Sequence, residues 1–261
     1  MNNNIMKISI ITICFNNSKD IRPTLESVVN QTYDNIEYIV VDGASKDNTL
    51  EIVNEYKSKI SKIISEPDKG LYDAINKGIK AATGDIVGLI HAGDRLYDNN
   101  VITKIVEFYK NNPDVEMSYG HSKIVNAEDK VKRVNVSPDF SPRLVRWGWM
   151  PSHQSIYAKR ELFEKYGVYR LDLGGSADYE FVVRYFYKLR TNITIKRIDE
   201  FIVRFSLGGR STSNYRKKLS KKHKNTIKRC WYLNDVKPPI GIVYRQWSRK
   251  IKQYLLAFID K

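Results

Sequence analysis

Between residues 7 and 15 the chain crowds Ile8, Ile10, Ile11 and Ile13 around Ser9 and Thr12, a run that predicts a buried strand. A helix is predicted over 21–31, with Pro23 tolerated in its first turn. Residues 37–41 form the next apolar run, and the spacing of Leu50, Ile52, Val53 and Tyr56 predicts a helix over 49–57. A short strand at 63–64 leads into Glu66-Pro67-Asp68-Lys69-Gly70, and helical periodicity then runs over 71–82 until Thr83-Gly84 stops it. A strand at 85–91 and a helix at 101–109, closed by Asn111-Asn112-Pro113, complete the alternation. Strands alternating with helices in this way predict a mostly parallel, Rossmann-like α/β sheet with helices on both faces. Beyond residue 115 the pattern loosens. Extended pieces at 116–125, 130–136, 154–157 and 194–198 are broken by Pro138, Pro142, Pro151 and Gly174-Gly175, with helices near 160–166 and 177–189. A regular half followed by a mixed, loop-rich half fits a donor-plus-acceptor layout within one domain.

Two strands end in carboxylates. Val40-Val41 runs into Asp42-Gly43-Ala44-Ser45, and Ile86-Val87-Gly88-Leu89-Ile90 runs into His91-Ala92-Gly93-Asp94. Open α/β sheets bind ligands at the carboxyl edge of their strands. Two acidic strand ends there suggest a nucleotide base or ribose at one and a metal-bridged diphosphate at the other.

Composition narrows the class. The length of 261 residues fits one large domain with an extension, or two small ones. Cys14 and Cys230 sit far apart in dissimilar contexts, which fits neither a zinc site nor a disulfide framework and points to a reducing compartment. No signal-peptide pattern is expected at the start, and no apolar run reaches the roughly 20 residues of a membrane span. The net charge of +15 is unevenly placed: residues 210–261 hold 15 Lys or Arg against 2 acidic residues, leaving the first 209 positions at only +2. A near-neutral body carries a strongly basic tail.

Ser9-Ile10-Ile11-Thr12, Ser27-Val28-Val29-Asn30-Gln31-Thr32-Tyr33 and the 40–49 segment resemble the start of family 2 glycosyltransferases, the inverting GT-A enzymes of bacterial polysaccharide assembly. The resemblance continues through 65–78 (Ser65-Glu66-Pro67-Asp68-Lys69-Gly70-Leu71-Tyr72-Asp73-Ala74-Ile75-Asn76-Lys77-Gly78). It resumes at His91-Ala92-Gly93-Asp94, Ser152-His153-Gln154, Ala177-Asp178-Tyr179-Glu180 and Ser206-Leu207-Gly208-Gly209. It covers about 7–214 in register, and the branch making colanic-acid-like exopolysaccharides and O-antigens is the nearest match. The fold it implies is GT-A-type over 1–209, with a nucleotide-sugar half (1–114) and an acceptor half (115–209), followed by a basic, amphipathic helical tail over 210–261.

The resemblance implies roles for particular residues. Asp42 would contact the donor base, with Thr12 nearby; capping the following turn is its alternative. Asp47, just before a helix, reads as an N-cap rather than a ligand. Asp94 would hold Mn²⁺ or Mg²⁺, since carboxylate oxygens suit hard cations that neutralise a leaving diphosphate. The family has an acidic pair or triplet here, whereas this chain keeps only the final Asp and has His91 where Asn is common. Lys69, on the Gly-containing loop, would meet phosphate or form a solvated turn. Asp73 and Asn76 share a helix face bordering the donor pocket, and Asn76 has a structural amide as its alternative. Asp178 would be the general base that inversion requires opposite the leaving group, or else an N-cap. Glu180 is the second candidate base. His153, Gln154 and Trp149 fall on the acceptor side, where Trp147 and Trp149 would stack on a sugar or pack internally. Arg210, in a loop that folds over the nucleotide in relatives, would meet the diphosphate.

In the tail, Ile240, Tyr244, Trp247, Ile251, Tyr254, Leu255 and Phe258 fall on one helical stripe, opposite Arg245, Arg249 and Lys252. Such a helix suits an anionic membrane interface, or docks on the protein itself or a second subunit. The expected protein is an inverting hexosyl- or N-acetylhexosaminyltransferase. It would move a sugar from a nucleotide donor, most readily UDP-linked, to an undecaprenyl-diphosphate-linked glycan at the inner face of the cell membrane. Two other classes are weighed against it. A nucleotidyltransferase would carry a Gly-rich, arginine-containing loop where Phe15-Asn16-Asn17-Ser18 stands. A nucleic-acid binder acting through the tail has little call for acidic strand ends, so no nucleic-acid partner is expected.

Overall fold

The computed structural model describes residues 5–207 and 221–245. Four parallel strands form the regular half: β1 (Ile8–Cys14), β2 (Ile36–Asp42), β3 (Lys62–Ser65) and β4 (Ile86–His91). They lie in the order β3-β2-β1-β4, as in an open doubly wound sheet. Crossover connections carry α1 (Ile21–Val29), α2 (Thr49–Glu55), α3 (Leu71–Ala81) and α4 (Val101–Asn111). Alternation along β1 and β2 divides the core. Ile8, Ile10, Tyr38 and Val40 pack toward α1, α2 and α4, whereas Ile11, Ile13, Ile39 and Val41 pack toward α3.

The second half extends the same sheet with mixed polarity. Next to β4 the order runs β8 (Ile156–Lys159), β6 (Met117–Val125), β9 (Ile195–Ser206) and β5 (Arg95–Leu96), while β7 (Val131–Asn135) pairs with β6. Helices α5 (Pro142–Arg146), α6 (Arg160–Tyr166) and α7 (Ala177–Val182) follow, and a π-helical turn over Val183–Lys188 continues α7. The expected α/β sheet with helices on both faces is therefore the observed architecture.

Strand β9 runs well past the predicted 194–198. Its register against β6 slips between Tyr119/Arg197 and His121/Phe201, so Ile198, Asp199 and Glu200 bulge out of the ladder. The acidic pair that masks the strand in the sequence sits in that bulge. Pro142, read as a break, instead opens α5, where a proline without an amide is tolerated.

The contact between α3 and β1 is unusually close. A Cβ on Gly78 would stand 2.3 Å from Cγ2 of Ile11. Only glycine lets the helix lie there, and the seating fixes the helix start beside the strand ends.

The lysine-dense segment forms α8 (Lys221–Tyr232), which docks on α7. Ile227, Cys230 and Trp231 are buried in the acceptor-side core. The Trp231 indole N–H donates to the Tyr179 hydroxyl at 2.8 Å, and Asn234 Nδ2 donates to Glu180 Oε1 at 3.0 Å. Packing against this core extends through α8 to the buried Ile242. Trp231→Ala should destabilise the whole domain by about 3–5 kcal/mol in chemical denaturation, whereas a tail independent of the domain would leave its stability unchanged.

Candidate active site

The loops after β1, β2 and β3 are tied together at the carboxyl edge. Asn16 N–H donates to Ser45 Oγ at 2.8 Å, and Lys46 N–H returns to Asn16 Oδ1 at 2.8 Å. Asp47 accepts from the Thr49 amide at 3.1 Å and the Ser18 amide at 3.0 Å. Bonds from Thr49, then from Ser18, hold its carboxyl well below the usual range. Asp47 is not the N-cap expected of it: that residue is Asn48, and Asp47 secures the start of α2 from one position earlier through the Thr49 amide. Asp42 is fully buried at the end of β2, accepting from the Ser45 amide at 3.1 Å, the Ser45 hydroxyl, and the Ser65 hydroxyl at 2.7 Å. Around it, Asp68 and Phe15 close over Gly43, and the Phe15 ring is exposed at the rim.

Asp94 is the second acidic strand end. Gly93 turns the chain with φ +95°, a conformation that side chains resist. Thr24 Oγ1 accepts from the Gly93 amide at 3.0 Å and donates to the Asp94 carbonyl at 2.6 Å. The carboxylate is held from two directions. Gln154 Nε2 donates to Oδ2 at 2.6 Å, and the Ser206 amide donates to Oδ1 at 2.9 Å. Burial pushes the Asp94 carboxyl up to about 6, while these two bonds pull the other way.

Gln154 links this carboxylate to the rest of the cleft. Its Oε1 accepts the His91 amide at 2.7 Å, so the side chain bridges both ends of the turn after β4. The His91 and His153 rings lie 4.8 Å apart, and neither Nε2 has a hydrogen-bond partner among the described residues. Burial holds both imidazoles below their ordinary pKa; His153 pushes His91 further down, and Asp178 partly offsets the effect on His153. Both are neutral at pH 7. Asp178 lies two residues beyond the N-cap Ser176, so it is not the capping residue. It accepts the Tyr179 amide at 2.7 Å. Burial, then Asp178, hold the Tyr72 hydroxyl protonated, which places Tyr72 beside the same carboxylate. Asp94, Gln154, His91 and His153 are joined by direct contacts, and Asp178, with Tyr72 beside it, lies within electrostatic reach of His153.

Several expected site residues face elsewhere. Thr12 is fully buried two residues inside β1, its hydroxyl 2.9 Å from that of Tyr38. Asn76 is a structural amide, bonded to both the N–H and C=O of Tyr169 at 2.9 and 2.8 Å. Glu180 turns away from Asp178 into the α7–α8 interface, where it pairs with Arg184 at 3.1 Å and Asn234 at 3.0 Å. Gln154 is only 2 % exposed and engaged at both ends of its amide, so it holds Asp94 rather than offering itself to an acceptor. Trp149 packs edge-on against Tyr119 at 5.3 Å between ring centroids. Lys69 is exposed on the loop before α3, where its amide donates to Asp73 at 2.9 Å. Arg210 lies outside the described residues, as do tail residues 246–261. Sequence reasoning did not single out Tyr72 or Ser206, although both lie in matched motifs.

Among the described residues no three His, Cys, Asp or Glu side chains gather as a metal cage. Each Asp94 oxygen accepts one internal hydrogen bond, which leaves further acceptor capacity on both. That fits a hard cation whose remaining ligands are substrate phosphates and water.

The glycosyl transferase family 2 profile matches residues 9–167. An uncharacterised glycosyltransferase of Mycobacterium tuberculosis is 34 % identical over 181 residues, covering 68 % of each chain. A PGL/p-HBAD biosynthesis glycosyltransferase of Mycobacterium bovis is 30 % identical over 192 residues, covering 68 % of this chain and 69 % of the relative. In structure the chain is similar to S. aureus TarS 1-349 in complex with UDP-GlcNAc, with a TM-score of 0.69 and 17 % identity over 92 % of this chain and 69 % of TarS 1-349. It is also similar to the mannosyltransferase PcManGT of Pyrobaculum calidifontis in complex with GDP-Man and Mn²⁺, with a TM-score of 0.60 and 16 % identity over 93 % of this chain and 69 % of the neighbour.

The electrostatics of Asp94 set a pH dependence. Its raised carboxyl takes up a proton as pH falls through about 6, so kcat/KM for the donor should drop about tenfold per unit below that point. Gln154→Ala removes a bond that favours the ionised form, and should move this acid limb to higher pH. A pH–rate series from about 5 to 8 checks both.

Proposed function

The chain belongs to glycosyl transferase family 2 and is a glycosyltransferase, and we propose that it is an inverting enzyme using a UDP-linked sugar to extend a lipid-linked glycan of the bacterial surface. The observation that carries this reading is the cluster in which Gln154 donates to Asp94 at 2.6 Å and its chain neighbour His153 lies within electrostatic reach of Asp178. It joins a carboxylate suited to a leaving diphosphate to one suited to an acceptor proton. Asp94 would hold Mn²⁺ or Mg²⁺ together with the diphosphate, and the cation would neutralise the charge developing on the leaving group. Lys69 and Arg210 would add positive charge on the phosphate side. Asp42 would meet the base by exchanging a Ser45 or Ser65 hydroxyl for a base N–H.

Asp178 would accept the proton of the attacking acceptor hydroxyl, with Tyr72 and the neutral His153 fixing its orientation. A neutral His153 near it avoids a buried positive charge that would stabilise the carboxylate and weaken it as a base. A UDP donor is supported by the fold shared with TarS in its UDP-GlcNAc complex. A lipid-linked acceptor is supported by the relative assigned to PGL/p-HBAD biosynthesis and by the basic tail. Surface-polysaccharide assembly at the cytoplasmic face of the membrane follows from that acceptor. The attachment proposed is peripheral, through the basic tail; no helix of the described residues is long and apolar enough to cross a membrane.

The division of labour is testable. Asp178→Asn should lower kcat by about 10²–10⁴ while leaving donor KM near its wild-type value. Equal loss of donor binding and turnover would place Asp178 in the donor site instead.

A further inference from the structure

A second surface combines exposed aromatic groups with arginines. Trp147, just after α5, is 63 % exposed, and the Arg245 guanidinium lies 4.1 Å from its ring centroid. Arg245 Nη1 also donates to the Arg146 carbonyl at 3.2 Å, so α5 and the 240–245 turn are fastened side by side. The turn contributes Ile240, 93 % exposed, and Tyr244, 67 % exposed, four residues apart on one side. Ile242 between them is buried and pins the turn to the core. Arg143 and Arg146 are exposed on α5, and Arg146 Nη1 donates to the Tyr187 hydroxyl at 3.4 Å.

Leaving an indole, a phenol and an isoleucine in water forgoes the gain of burying them, about 25 cal/mol per Å². Aromatic rings tipped with polar atoms settle at the headgroup level of a bilayer, and guanidinium groups bind phosphate with paired donors. The 210–261 segment, with its 15 basic and 2 acidic residues, adds attraction toward anionic lipid. We propose that Arg143, Arg146, Trp147, Ile240, Tyr244 and Arg245 form a docking surface for an anionic phospholipid bilayer. The inference rests on the lipid-linked acceptor reading and gives it an orientation. Trp147 is six residues from His153, a reach of at most about 20 Å, so a docked Trp147 holds the acceptor side of the cleft close to the membrane.

Co-sedimentation of the full chain with vesicles tests this, using phosphatidylcholine alone or mixed with phosphatidylglycerol. Wild type should sediment with the anionic vesicles and not with the neutral ones. Arg143→Glu with Arg146→Glu, and separately Trp147→Ser with Tyr244→Ser, should each lower the partition coefficient about tenfold or more. The thermal shift produced by UDP and Mn²⁺ should be unchanged in both variants, showing an intact fold and donor site. Undiminished binding by both variants would overturn the surface while keeping the membrane reading. No wild-type binding to either vesicle would overturn the membrane reading itself. A concentration-dependent dimer abolished by Trp147→Ser with Tyr244→Ser, without vesicle binding, would identify the face as a contact between two copies and also overturn the proposal. Transfer of sugar to a soluble acceptor is scored separately, so failure of the surface does not count against the glycosyltransferase activity.

Discussion

The hydrogen bond between Gln154 and Asp94 is the interaction on which the arrangement of the cleft depends. Asp94 lies three residues beyond β4, the last parallel strand of the regular half, and Gln154 precedes the strand that continues the sheet antiparallel to it. One buried amide accepts the His91 N–H and donates to the Asp94 carboxylate. A hydrogen bond to a charged group contributes about 1.5–3 kcal/mol, and leaving its partner unmet in a desolvated site costs a comparable amount. The bond therefore fixes the direction of a carboxylate and ties the loop before β8 to the turn after β4. His153, the next residue back, is held against His91 and near Asp178 by the same tie.

A lone, partly buried carboxylate is a poor cage for a divalent ion, yet a suitable half-site. Its raised pKa shows that the protein tolerates the charge reluctantly without a counter-ion. A cation bridging Asp94 and a diphosphate would relieve that desolvation only when the donor is present. On the proposed reading the thinned acidic motif would couple metal to substrate and leave the bare protein a weak metal binder.

Much of this was legible in the sequence, for physical reasons. The parallel half declared itself because β1, β2 and β4 are buried on both faces and read as continuous apolar runs. Asp42 and Asp94 were legible because each is the first acidic residue after such a run. Other positions were hidden because their partners are distant. Gln154 meets Asp94 across 60 residues and Asn76 meets Tyr169 across 93, and no local pattern encodes either pairing. Glu180 misled through proximity: two positions along a helix rotate a side chain about 200° from its neighbour Asp178. In the tail, Ile227, Cys230 and Trp231 are spaced to bury one face of α8, a spacing that shows itself only once the helix is in place.

The most direct measurement is calorimetric titration of UDP and of Mn²⁺, each alone and each in the presence of the other, with wild type and Asp94→Ala. The account predicts that either ligand alone binds weakly, that each strengthens the other by the same factor, and that the coupling vanishes in the variant. Tight Mn²⁺ binding without nucleotide, or UDP binding indifferent to metal, would contradict it.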